Sequence, residues 1–343
     1  MRSHFAVITT LLLFAFGAAM AGDLNRTGTV SGAQLLIPVG ARSISMGGAS
    51  IANINGAESI YWNPAGMSNG TASEVMFNNM AYIADIDVNY LAAVYNGGII
   101  GSFGLSIKSL DFGDIEETTF EQPDGTGQTW SPTQVVAGLS YSRFLTDRIR
   151  AGLTGKLIYE SIQQTSAQAL ALDMGVQYEF NANLSLGVVM KNIGQKMEYT
   201  GRDMDRPASI PNASPDADNG FFRAIAQASN IPSVFSFGVN YKVNINEENH
   251  LAVNGAFSNF NDYSDQLFGG VEYSFRDFFF LRGGYNYETQ TNLDTDEDQL
   301  FGASFGAGIN YPVGNFNFQL DYAYRDVTDY FDASNIFTVK LSF

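Results

Sequence analysis

Few residues in this chain have the types and spacing that chemistry needs. It contains two histidines, His4 and His250, and no cysteine. Thiolate nucleophiles, thiolate metal sites and disulfides are therefore excluded. His250 begins an alternating run beside the turn 244–247, the setting of a solvated interfacial side chain. A histidine base would need a carboxylate or amide to orient it against a nucleophile. Gly302-Ala303-Ser304-Phe305-Gly306 has the Gly-x-Ser-x-Gly form, but that motif works at a strand-to-helix elbow. Here it lies inside a continuous alternating run, which makes Ser304 an inward strand residue. Asp294, Asp296 and Asp298 alternate like the start of a calcium loop. An EF-hand then requires Gly at the sixth position and Glu at the twelfth, where this chain has Gln299 and Phe305. A solvated acidic loop over 289–297 is the default reading, ahead of a weak cation site. No catalytic, metal or cofactor residue is assigned, and the chain reads as a non-enzyme without a cofactor.

The elements that carry these residues have a strong period of two. Arg148, Arg150, Gly152, Thr154, Lys156 and Glu160 share one face, broken by Ile158, and Ile149, Ala151, Leu153, Leu157 and Tyr159 share the other. In 169–180, Leu170, Leu172, Met174, Val176, Tyr178 and Phe180 oppose Ala169, Ala171, Asp173, Gly175, Gln177 and Glu179. Successive strand side chains point to opposite faces, so each run has a greasy side and a wet side. Several runs are about twice the usual globular strand of about 5–6 residues. A strand crossing a bilayer at its usual tilt needs about 9–11.

Segmentation predicts strands over 73–83, 87–96, 98–110, 130–143, 147–160, 168–180, 183–192, 232–243, 248–259, 265–275, 277–288, 298–311, 314–325 and 335–343. Connections after even strands are short. Those after odd strands are longer (111–129, 161–167, 193–231, 260–264, 289–297 and 326–334), with 84–86 the exception. Bacterial barrels alternate short periplasmic turns with longer outer loops, and closure removes the edges that lipid could not satisfy. The expectation is an all-β transmembrane antiparallel barrel of about 14 strands over 73–343. The 35 Gly, 27 Phe and 17 Tyr and a mean hydropathy near zero suit strands with lipid on one side and water on the other. A formal charge of −17 argues against nucleic acid as a partner.

The N-terminus reads as a secretory signal over 1–21. Arg2 is followed by the uncharged run Phe5 to Phe16 and an Ala19-Met20-Ala21 cleavage site. That run is too short for a membrane helix. At the other end Phe337, Val339, Leu341 and Phe343 alternate with Thr338, Lys340 and Ser342.

Residues 22–72 do not read as barrel and form a small, tightly packed plug or periplasmic segment. They contain Ala41-Arg42, then Met46-Gly47-Gly48-Ala49, and after about ten residues Tyr61-Trp62-Asn63-Pro64-Ala65-Gly66. On these blocks the chain resembles the PorV/PorQ family, itself similar to the FadL-type channels. The resemblance implies a fourteen-stranded barrel, a lumen plugged by the N-terminal segment and a structural turn at Asn63-Pro64. The family-motif positions are Ala41, Arg42, Met46, Gly47, Gly48, Asn63, Pro64, Ala65 and Gly66. Phe343 looks like the C-terminal signal read by the barrel-assembly machinery of Gram-negative bacteria, which implies their outer membrane, and the parity of the connections puts both mature termini in the periplasm. PorV-like relatives imply a role in type IX secretion, with secreted cargo and other secretion components as partners. FadL-like relatives imply instead uptake of hydrophobic small molecules such as long-chain fatty acids. The loop 193–231, with Phe221, Phe222, Ala224 and Ile225, either presents an apolar patch to a partner or folds back over the barrel mouth.

Overall fold

The computed structural model describes residues 28–70, 72–208, 220–289, 299–328 and 331–343. The strands are β1 (Glu74–Ala81), β2 (Asp87–Asn96), β3 (Ser102–Asp111), β4 (Thr133–Thr146), β5 (Ile149–Ile162), β6 (Thr165–Glu179) and β7 (Leu184–Gly194). They continue as β8 (Val234–Asn244), β9 (Asn249–Phe260), β10 (Gln266–Phe275), β11 (Phe279–Glu288), β12 (Phe301–Val313), β13 (Phe316–Val327) and β14 (Ser334–Ser342). Each pairs antiparallel with its neighbours in sequence, and β14 pairs with β1 to close a barrel of 14 strands. Beyond the last strand, Phe343 and Ser73 exchange both backbone hydrogen bonds, at 2.9 and 3.0 Å.

Side-chain polarity is inverted relative to a soluble protein. In β5, Leu153, Leu157 and Tyr159 are exposed on the outer face, while Arg150, Thr154, Lys156 and Glu160 are buried in the lumen. Ile158, the break in the wet row, also points inward and is fully buried. An apolar exterior of this kind is what a hydrocarbon bilayer requires of a barrel. No helix among the described residues is long and apolar enough to cross a membrane; the strands make the crossing. Leu153→Arg is expected to destabilise the bilayer-inserted barrel by about 2–4 kcal/mol. Reversible urea unfolding from lipid vesicles measures it, and a neutral result would move the bilayer off this face.

Three sequence expectations need correction. The strand expected over 98–110 begins at Ser102, because Gly98–Ile100 form a helical turn with Gly98 at φ 64°. The connection expected over 161–167 shrinks to 163–164, because Ile162 and Thr165 continue the β5–β6 ladder. Gln163 makes that tight turn at φ 49°. The long connections are also more structured than expected. Ile115–Glu116 pairs with Thr129–Trp130, and Asp205–Ala208 pairs with Gly220–Arg223. In the second hairpin the Arg223 guanidinium grips Asp205 at 2.7 and 3.1 Å and holds its carboxyl below the usual range. Phe221, Phe222 and Ile225 project from it and are exposed. The base of the same loop folds back, burying Met197 and Ile231. The apolar patch itself therefore does not fold back over the barrel mouth; a different part of the loop, at Met197 and Ile231, does.

Candidate functional site

The lumen is occupied by the chain's own N-terminal segment. Short helical turns over Ala33–Leu36, Ala41–Ser45 (α1), Ser50–Ala52, Ser59–Trp62 (α2) and Pro64–Asn69 run through it. Asn63 locks the last of these. Its Oδ1 accepts from the Ala65 N–H at 3.2 Å, and Pro64 takes the first helical position, where its missing N–H costs nothing. The Asn63 Nδ2 donates to Ile51 O inside the plug and to Val176 O of the wall, at 3.1 and 3.2 Å. The remaining motif residues also lie in the lumen. The Ala41 N–H donates to Thr338 Oγ1 at 2.9 Å and the Gly47 N–H to Ser304 Oγ at 3.1 Å. Ser142 Oγ donates to Ala65 O at 3.0 Å, and Gly66 lies against Ile54. Gly48, at φ 92°, sits against the rings of Trp62 and Phe268. Phe343 stands apart from them, exposed at the end of the barrel.

Charge fastens one side of the plug. Arg42 makes two 2.9 Å bonds to Glu272, which also accepts from Arg282 at 2.6 Å, and Arg282 reaches Asp321 at 2.7 Å. Two cations and two anions balance there, out of water. Fully buried Glu58 meets Lys340 at 2.6 Å and accepts from the Ser43 N–H at 2.9 Å. Burial alone would push the Glu58 carboxyl up; Lys340 and the Ser43 N–H outweigh it and hold it below the usual range. Gln177 donates to Ile51 O and Ile54 O. Gln177 and Asp321 therefore make specific contacts in the lumen.

Glycines of the wall make room for this fit. Gly152 and Gly175 are register partners facing Asn63 and Pro64, and a Cβ at Gly175 would lie 2.9 Å from Pro64 Cδ. Gly270 and Gly284 are likewise partners, and both face the Met46 backbone. At these positions the strand glycines are seats for the plug backbone.

The inner wall also has apolar parts, and one of them lies on β4, β5 and β6. Val136 of β4, Ile158 of β5 and Ala167, Ala169 and Ala171 of β6 form an inward apolar strip. Met197 and Ile231 roof it from the 195–233 loop, Tyr199 flanks it, and Leu35 of the plug closes it from below. Beside it the β6–β7 ladder is irregular between Leu172 and Met174, and Asp173 Oδ1 accepts the Asn192 N–H at 2.8 Å instead. The strip leads to a small cavity lined by Leu35, Ile60, Tyr61, Tyr90, Ser106, Lys108, Val136, Gly138 and Lys156. Sequence reading did not single out this cavity. Its one signal there was a lysine on the wet face of each of two alternating strands.

The residues first examined for chemistry are placed as follows. Ser304 is buried, facing the lumen, with a 3.4 Å contact to Gly284 O. It has no elbow. His250 sits at the start of β9, its Nδ1 2.9 Å from Asn244 Oδ1. Asp294, Asp296 and Asp298 lie outside the described residues, as does the expected signal 1–21. Among the described residues no group of three or more His, Asp or Glu is arranged to hold a metal.

No family model matches the chain, and no curated protein sequence does. Solved structures do. The toluene transporter TodX of P. putida is 13% identical, with 93% of this chain and 99% of that one covered at a TM-score of 0.54. The CymD monoaromatic hydrocarbon channel is 13% identical, with 90% and 97% covered at 0.53. At such identity the likeness is one of architecture: the chain has the barrel fold of these two channels.

Proposed function

We propose that this protein is a FadL-like outer-membrane channel for small hydrophobic molecules. The inward apolar strip carries the reading. Val136, Ile158 and the β6 alanines turn apolar side chains into the lumen beside the charged and amide rows, where Leu35, Met197 and Ile231 keep them from water. They suit a ligand that leaves water, and the irregular ladder at Leu172/Met174 lies beside them. Ladder breaks of this kind are common at functional positions in barrels. The fold shared with two hydrocarbon channels supports the same reading.

The test is toluene flux into vesicles containing the purified barrel. The wild type is expected to exceed empty vesicles, and Ile158→Asp is expected to lower the flux roughly tenfold, the cost of about 1.4 kcal/mol at one step. Flux equal to that of empty vesicles would sink the channel reading. Export with removal of 1–21, recognition of Phe343 by the barrel-assembly machinery and periplasmic termini belong to the same proposal.

A second reading, PorV-like service in type IX secretion, is favoured by one feature. Phe221, Phe222 and Ile225 stand exposed on the outer hairpin, as side chains that dock a protein partner do. A deletion strain that still anchors proteins with C-terminal sorting domains at its surface would exclude this reading.

A further inference from the structure

Lys108, Lys156 and Lys191 come from β3, β5 and β7, and all turn inward at more than nine-tenths burial. They converge on one plug residue, Tyr61. The Lys191 Nζ lies 4.0 Å and the Lys108 Nζ 4.9 Å from the Tyr61 ring centre, and Lys156 shares a cavity with it. One carboxylate is present to balance them, Asp173, and it is engaged by Lys156 at 2.5 Å. The neighbouring acids are occupied elsewhere: Glu160 by the Tyr199 hydroxyl and Glu58 by Lys340. Three buried amino groups thus face one carboxylate, inside a chain whose net charge is −17. Buried ammonium without compensation is costly, and an anion seated among the three would hold them protonated.

The hydrogen bonds point the same way. An ammonium has three N–H donors. Lys108 places two of them, on Gln34 O at 2.6 Å and Ile37 O at 3.0 Å. Lys156 meets Asp173 and, at 2.9 Å, Asn192 Oδ1. Lys191 makes one long contact, 3.5 Å to Tyr61 O. Donors are left over on all three. The cavity beside them measures about 20 Å³ and is lined by Lys108, Lys156, Ser106 and Tyr90, with no carboxylate in its wall. The Tyr90 hydroxyl is buried, with the Ser106 hydroxyl beside it. That space holds about one water-sized group.

We propose that this cavity is a monoatomic-anion site, taking a halide between the Lys108 and Lys156 ammonium groups and the Ser106 and Tyr90 hydroxyls. The site is read by binding, so it stands or falls apart from the channel proposal.

The test uses the full chain in detergent at constant ionic strength, with gluconate, too large for the cavity, as the reference anion. Bromide is titrated by calorimetry and located in crystals by its anomalous signal. The expected result is one bromide peak in the cavity beside Lys108, with affinity falling roughly tenfold in Lys108→Gln. Ser106→Ala, which removes only a hydroxyl, is expected to weaken bromide severalfold and serves if Lys108→Gln fails to fold. An empty cavity in bromide, or affinity unchanged in the variants that fold, overturns the proposal.

Discussion

Lys340→Met is expected to cost the fold about 3–5 kcal/mol, because it leaves Glu58 charged, buried and without its cation. Both partners are nearly inaccessible, with side-chain exposures of 4% and 0%, and they meet at 2.6 Å. The carboxylate keeps the Ser43 N–H, which cannot replace a full charge. The loss therefore comes from stranding Glu58 rather than from the value of the pair itself. That distinction is testable. Combining Lys340→Met with Glu58→Gln removes the stranded charge and is expected to recover most of the stability. Unfolding of the detergent-solubilised barrel, followed by its heat-dependent gel mobility and by urea titration, gives all the values. A double variant no more stable than Lys340→Met would mean that Lys340 acts through packing, not charge.

Adjacent glycines of β10 are expected to respond in opposite ways. Gly270 faces the lumen, where an added Cβ would lie 2.7 Å from Met46 Cβ and closer still to the Met46 carbonyl. Gly269 faces outward, with nothing within 4 Å of an added Cβ. Gly270→Val must therefore displace the plug or bend the wall, at a cost of about 1–3 kcal/mol for overpacking or more because the obstacle is backbone. Gly269→Val adds a β-branched residue to an outer face and is expected to stay within about 0.5 kcal/mol of the parent. Limited proteolysis separates plug from barrel in this comparison: cleavage within 33–69 should rise in Gly270→Val alone. Equal behaviour of the two variants would place the plug somewhere other than against β10.

Most of the wall was legible from local pattern because a barrel strand repeats one simple constraint. Lipid outside and polar lumen inside force alternation residue by residue, as in Leu170–Phe180 against Ala169–Glu179. The limits of the strands were less legible. The β5–β6 turn closed at 163–164 because ladder pairing carried Ile162 and Thr165 past the point where apolar alternation fades. Ile158 read as a flaw in a wet row. It belongs to an apolar strip whose other members come from β4, β6, the plug and a loop 195–233.

The sequence by itself determined a closed, lipid-facing all-β barrel with a separate N-terminal segment, because period-two polarity and connection length are written along the chain. It also marked Ala41–Gly48 and Asn63–Gly66 as unlike the wall. Only the tertiary structure decided what those blocks touch. Arg42 finds Glu272, Lys340 finds Glu58, and Lys108, Lys156 and Lys191 gather at Tyr61. These partners lie far apart along the chain, and no local period encodes which inward residues of different strands come level. That is set by barrel closure, strand register and the seating of the plug on its glycines.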